Sequence, residues 1–260
     1  MPTPPEPAVL YPDIAAAGSL AAALRAVADG ALDDVPLTSP DDGPLTSATC
    51  GSVLPHRDAM RVSARAHERK WSVGAGVPLL DLPLVHGVTD DLDQVARALR
   101  AWYDGRTPDE IHAAAPSVRP TGHLELVEPD PARMVESEWR YLRTEAAELD
   151  TPWAYAHRDL VEAAYAEPRL RALYPFTSHW ALRFSTATRP ALDVVGPSLY
   201  CTGEGGYRLR RLMSDPGRSF ATAREAVAEA VRLLPEALGP VRYGDARRGA
   251  ENEVEAATEA

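Results

Sequence analysis

Lysine is almost missing from this chain: Lys70 is the only one in 260 residues, so 26 of the 27 basic residues are arginine. That bias reads as codon composition, so the choice of arginine over lysine at any one position carries little information. It also narrows covalent chemistry. A Schiff base would have to form on Lys70, whose alternation neighbours Glu68 and Ser72 argue against an apolar pocket. Cysteine is scarce too, with only Cys50 and Cys201, and neither belongs to a CxxC pair. The seven histidines form no HExxH and no HxH, so no metal site and no cofactor is expected. There is no GxSxG elbow. His157-Arg158-Asp159-Leu160 has the form of a kinase catalytic loop, but Ala164 stands where the metal-binding asparagine belongs and no Gly-rich loop accompanies it.

Basic residues are outnumbered, 27 against 38 acidic ones, for a net charge of -11. A surface of that sign repels phosphate backbones and anionic lipid, which excludes nucleic acid as a partner. No apolar run approaches the ~18 residues of a membrane span, and the N-terminus has neither the basic start nor the apolar core of a secretory signal. With two distant cysteines, the expectation is a reducing cytoplasm.

What is present is a hydrophobic content of 45%, enough for one large or two small cores. Ile14, Leu20, Leu24 and Val27 are spaced for a helix over 13–29, and strands are expected at 45–54, 61–73 and 79–85. An amphipathic helix follows, with Thr89 as N-cap and Leu92, Val95, Ala96, Leu99 and Trp102 as its buried stripe. Residues 116–133 contain four prolines and read as a connector. Helices are expected at 134–149 and 153–166, strands at 179–186, 192–200 and 207–213, and a helix at 221–238. Gly203-Glu204-Gly205-Gly206 reads as a hairpin turn between strands. The fold class is α+β with two similar halves, each an antiparallel sheet of about three or more strands flanked by helices. The halves span 1–115 and 134–245, and 246–260 forms an acidic, frayed tail.

Strand alternation then assigns faces. Across 61–73, Arg61, Ser63, Arg65, His67, Arg69 and Trp71 share one side, with Glu68 and Lys70 on the other. Across 179–186, His179, Ala181, Arg183 and Ser185 share one side and Trp180, Leu182 and Phe184 the other. The last strand adds Arg208, Arg210 and Arg211 beside Tyr207. Either these cations converge on a cleft for a small anionic substrate, walled by Trp71, Tyr174 or Tyr207, with Ser178 donating to the anion, or they are the solvated faces of open sheets.

The segment Pro168 to Ser185, PRLRALYPFTSHWALRFS, resembles the signature of an actinobacterial family of unknown function labelled as natural product biosynthesis proteins. The resemblance extends to a subunit of the aziridine-forming enzyme of azinomycin-type pathways. The resemblance implies ring closure as an amine displaces a neighbouring sulfate ester. On the face geometry, arginines with His179 or His67 would receive the sulfate, and Glu68, Asp193 or a neutral histidine would be the base. His179 and Glu68 are the expected catalytic pair. Arg65, His67, Arg69, Trp71, Tyr174, Ser178, Arg183 and Tyr207 are expected to bind the substrate. The alternative is a non-catalytic binding module or partner subunit whose sheet docks another protein.

Overall fold

A computed structural model describes residues 4–78, 82–202, 205–211 and 215–245. The expected frayed tail, residues 79–81 of the expected 79–85 strand, Gly203-Glu204 of the expected turn and part of the 207–213 strand lie outside the described residues. The chain is α+β and divides into two compact units, 1–121 and 122–260, with the boundary inside the proline-rich stretch.

In the first unit, α1 (Pro7–Leu10), α2 (Pro12–Ala17) and α3 (Leu20–Val27) replace the single helix expected over 13–29. Gly18 adopts a left-handed conformation (φ +83°) that ends α2, and the Ser19 side chain caps α3 by accepting from Ala22 N–H. A six-stranded antiparallel meander follows in strict chain order. Its strands are β1 (Leu37–Thr38), β2 (Ser47–Cys50), β3 (Met60–Ala64), β4 (Trp71–Val77), β5 (Leu82–Thr89) and β6 (Val118–Pro120). The last lies within the stretch expected to be a connector. Helices α4 (Leu92–Tyr103) and α5 (Pro108–Ala114) intervene before β6. Asp91 caps α4, and Thr89, the expected cap, accepts from the Asp91 N–H one step earlier. Helices α3 and α4 pack on the sheet, burying Met60, Val62, Trp71, Val73 and Trp102.

The single strand expected over 61–73 is in fact two. β3 ends at Ala64, residues 65–70 form a loop, and β4 begins at Trp71, which pairs with Ala64. The loop resets the alternation: Arg61 is exposed on the open face, while Trp71 is fully buried on the helix side.

In the second unit, α6 (Pro131–Glu148), α7 (Ala154–Ala166) and α8 (Pro168–Arg171) precede the sheet. Its strands are β7 (Tyr174–Ser178), β8 (Ala181–Ser185), β9 (Ala187–Pro190), β10 (Val194–Cys201), β11 (Tyr207–Arg210) and β12 (Arg218–Phe220). Helix α9 (Ala223–Arg232) and β13 (Arg242–Gly244) complete it. Five strands form an antiparallel sheet in the order β12-β11-β10-β8-β7, and β9 leaves it to pair in parallel with β13. Helices α7 and α9 cover β10 and β11, and Trp139 of α6 approaches Phe184 at 6.2 Å. Leu182, Phe184, Leu199, Tyr207 and Leu209 are thereby buried on the helix side.

No helix among the described residues is long and apolar enough to cross a membrane.

Candidate functional site

The cationic loop of the first unit neutralises itself. Arg65 and Lys70 both pair with Glu68, and Arg69 makes a two-pronged bond to Asp13 at 2.7 and 2.8 Å. Lys70 and Arg65 hold the Glu68 carboxyl below its ordinary range, so it stays ionised and engaged. The loop backbone is gathered by one hydroxyl: Tyr11 Oη lies 2.8 to 3.0 Å from the carbonyls of Arg65, Glu68 and Lys70. Arg69 stacks over the Trp71 ring at 5.0 Å. The structure therefore brings Arg65, Glu68 and Arg69 together, but commits their charges to partners within the unit. His67 is exposed and makes no side-chain bond among the described residues. Trp71, expected as an apolar wall, is a core residue and offers a ligand no surface.

The stretch 174–185 is a hairpin rather than an entry followed by one strand. Register pairs Ser178 with Ala181, so His179 and Trp180 are the two residues of the turn. Both have positive φ, 51° and 62°, as a two-residue primed turn requires, yet neither is the glycine or asparagine that such turns favour. Tertiary packing imposes the conformation. Trp180 meets Trp153 at 4.8 Å and His157 at 5.7 Å, both edge to face, and His157 is fully buried with neither ring nitrogen bonded. Burial lowers the His157 pKa, so this imidazole is neutral and acts as an apolar slab under the turn. His179 is exposed and its Nδ1 lies 3.4 Å from the Ser178 hydroxyl.

The face of this sheet opposite α7 and α9 carries three arginines and, at its β7 edge, meets α6 through Tyr174. Ser198 pairs with Arg210, Tyr200 with Arg208, and Phe176 with Arg183, while the Leu199–Leu182 pairing sets Ser198 level with Arg183. Alternation therefore puts Phe176, Arg183, Ser198, Tyr200, Arg208 and Arg210 on one side. The three arginines are half-buried, and none makes a direct ion pair with a carboxylate among the described residues, although Arg210 lies in the field of Asp215. Arg183 lies over Phe176 and Arg210 over Tyr200, both at 5.5 Å. The Nε atoms of Arg183 and Arg210 are buried without an acceptor. Adjacent strands are ~4.8 Å apart, so arginines on β8 and β11, two spacings distant, can reach one multi-oxygen group. Tyr207, expected with this set, lies on the opposite, helix-side face.

Sequence reasoning missed a buried polar network on α6. The Tyr174 hydroxyl, expected to wall a cleft, donates to Glu138 Oε2 at 2.9 Å, and Glu138 is only 4% exposed. His123 Nε2 stands 3.6 Å from the same oxygen and its ring stacks on Tyr141 at 4.2 Å. The Tyr141 hydroxyl donates to Glu145 Oε1 at 3.0 Å, while Glu145 Oε2 is buried without a partner. The signal was present: Glu138, Tyr141 and Glu145 recur at i, i+3 and i+7 on the same helix side as Met134 and Leu142. Burial raises the pKa values of Tyr174 and Tyr141, so both hydroxyls stay protonated and donate.

Burial also raises the Glu145 pKa above its ordinary 4.5. A carboxyl that is harder to ionise when folded favours the native state below its unfolded pKa, and that contribution is lost as pH rises through the folded value. Glu145→Gln is therefore expected to melt higher than the wild type at neutral pH, with the gap closing as pH falls below the ordinary carboxylate value. Thermal unfolding across that range reads it.

Compared with known proteins, residues 133–245 match a family described as "Family of unknown function (DUF6193)". The match lies within the second unit and includes Arg183, Arg208, Arg210, the 174–185 hairpin and helix α6 from Arg133 onward. No curated protein and no solved structure matches the chain. The likeness found is thus to a family without an assigned activity, and it names neither a pathway nor a reaction.

Proposed function

We propose that the second unit binds a small anionic ligand, bearing a sulfate, phosphate or carboxylate group, on the sheet face formed by Arg183, Arg208 and Arg210. The observation that supports this is the pair of buried Nε donors on Arg183 and Arg210 with no acceptor. Buried donors are rarely left unbonded, and oxygens of an anion would satisfy both. Phe176 and Tyr200 beneath the guanidiniums hold them flat and partly desolvated, which strengthens their attraction for an anion.

In the biosynthetic reading, this ligand is an intermediate whose amine displaces a neighbouring sulfate ester to close an aziridine. The guanidiniums would take the charge of the departing sulfate. His179, exposed at the hairpin tip, is better placed as base than Glu68, which is ionised and paired with two cations. A second reading, docking of a partner protein, draws on Trp180, a large aromatic residue 44% exposed on that tip.

Thermal unfolding in sodium sulfate tests the first reading, provided the general stabilising effect of sulfate is subtracted. A ligand at a hundredfold excess over its Kd stabilises by about 2.7 kcal/mol. The wild type is expected to gain a saturable increment that the Arg183→Ala, Arg210→Ala double variant lacks. An identical rise in both would contradict the assignment.

A further inference from the structure

On the opposite, helix-covered side of the same sheet, α7, the first turn of α9 and β11 enclose a groove of about 620 Å³. Its walls carry opposite charges. Helix α7 contributes Tyr155, Asp159 and Glu162, one turn apart on one helix face, and α9 contributes Arg224. Glu162 is already engaged by Arg143 Nε at 2.7 Å. Asp159 and Arg224 each make no side-chain hydrogen bond or ion pair among the described residues. Glu225 closes a capping box over the Thr222 N–H and hydroxyl, which leaves the Ala223 and Arg224 N–H groups at the start of this ten-residue helix without acceptors.

The floor supplies a separate observation. Tyr207 is only 5% exposed, lines the groove, and its hydroxyl has no hydrogen-bond partner among the described residues. Burial raises its pKa first and the Asp159 and Tyr155 side chains add to the rise, so the hydroxyl stays protonated within reach of the Asp159 field. Gly205 completes the rim: a Cβ there would stand 2.5 Å from the Tyr155 hydroxyl, so only glycine leaves that tyrosine in place.

We propose that this groove binds a free amino acid, its ammonium held by Asp159 beside the Tyr207 hydroxyl and its carboxylate by Arg224 and the Ala223 and Arg224 N–H groups. A simple cation would meet Arg224, and a phosphate would meet Asp159 and Glu162, whereas a zwitterion matches both walls. The volume exceeds what the two charged ends need, so the side chain rests on Ala163 and Ala166 along α7. The inference is independent of the arginine face and concerns the other side of the sheet.

The test is calorimetric titration of the full chain with L-leucine and L-tyrosine, with their amides, and with their N-acetyl derivatives. At least one free amino acid is expected to bind saturably, and each capped form at least about tenfold more weakly, the loss that one charge-assisted contact represents. Asp159→Asn should weaken discrimination against the N-acetyl form alone, and Arg224→Gln discrimination against the amide alone. Both residues are exposed, so neither change threatens the fold. Equal binding of capped and free forms, affinities unmoved by both substitutions, or no binding of either amino acid up to about 10 mM would overturn the proposal.

Discussion

Trp71→Ala is expected to destabilise the first unit by about 3–5 kcal/mol, the range for removing a large aromatic from a well-packed core. Against a total stability of about 5–15 kcal/mol, that is enough to leave the unit marginal. Trp71 is fully buried, packs at 5.6 Å against the Tyr11 ring and lies under Arg69. Its loss would also loosen the Tyr11 hydroxyl that gathers the 65–70 loop. The indole Nε1 is buried without a partner. Trp71→Phe, which keeps an aromatic ring and deletes that donor, should therefore cost well under the alanine value. Denaturant unfolding separates the two, and an alanine variant as stable as the wild type would contradict the placement of this residue in the core.

The second large effect concerns binding rather than folding. Each hydrogen bond to a charged group is worth about 1.5–3 kcal/mol, so removing Arg183 and Arg210 together should weaken anion binding at least a hundredfold. Stability should change little, because neither guanidinium makes a direct ion pair among the described residues and Asp215, which lies in the field of Arg210, keeps Arg211 and the Gly217 and Arg211 N–H groups. Arg69 is different: it holds Asp13 and shields Trp71, so Arg69→Ala would cost stability without touching anion affinity.

The contrast between these arginines shows where the sequence could be read and where it could not. Alternation placed Arg183 on the polar side of its strand and Phe184 on the buried side, as the burial of Phe184 and half-exposure of Arg183 confirm. Helix α4 was legible from its 3.6-residue stripe. Both hairpin turns were invisible, and for one reason. Residues 65–70 contain no glycine, proline or asparagine, and His179-Trp180 has no turn preference. The first turn is closed by a tyrosine 54 to 59 positions earlier and the second by Trp153 and His157, so no local window contained the cause. Missing the first turn put Trp71 on the wrong face. Reading the second as strand set His179 in line with Arg183, when it stands at the tip. Tyr207 was misplaced differently: its neighbours Arg208 and Arg210 were read as one cationic strand, but alternation sends Tyr207 to the helix side and those two to the other.

The buried network on α6 was hidden by composition. In a chain with 38 acidic residues, one more glutamate in a helix draws no notice unless its position is compared with the apolar stripe. Glu138 sits on that stripe, which is why it ends 4% exposed with the Tyr174 hydroxyl and His123 around it.

The arginine face is the central claim, and titration calorimetry of inorganic sulfate into the wild type and into the Arg183→Ala, Arg210→Ala double variant, at matched ionic strength, tests it most directly. The account predicts a saturable isotherm for the wild type and none for the double variant, with both proteins unfolding at the same denaturant concentration. A flat wild-type isotherm, or one that the double variant reproduces, would contradict it.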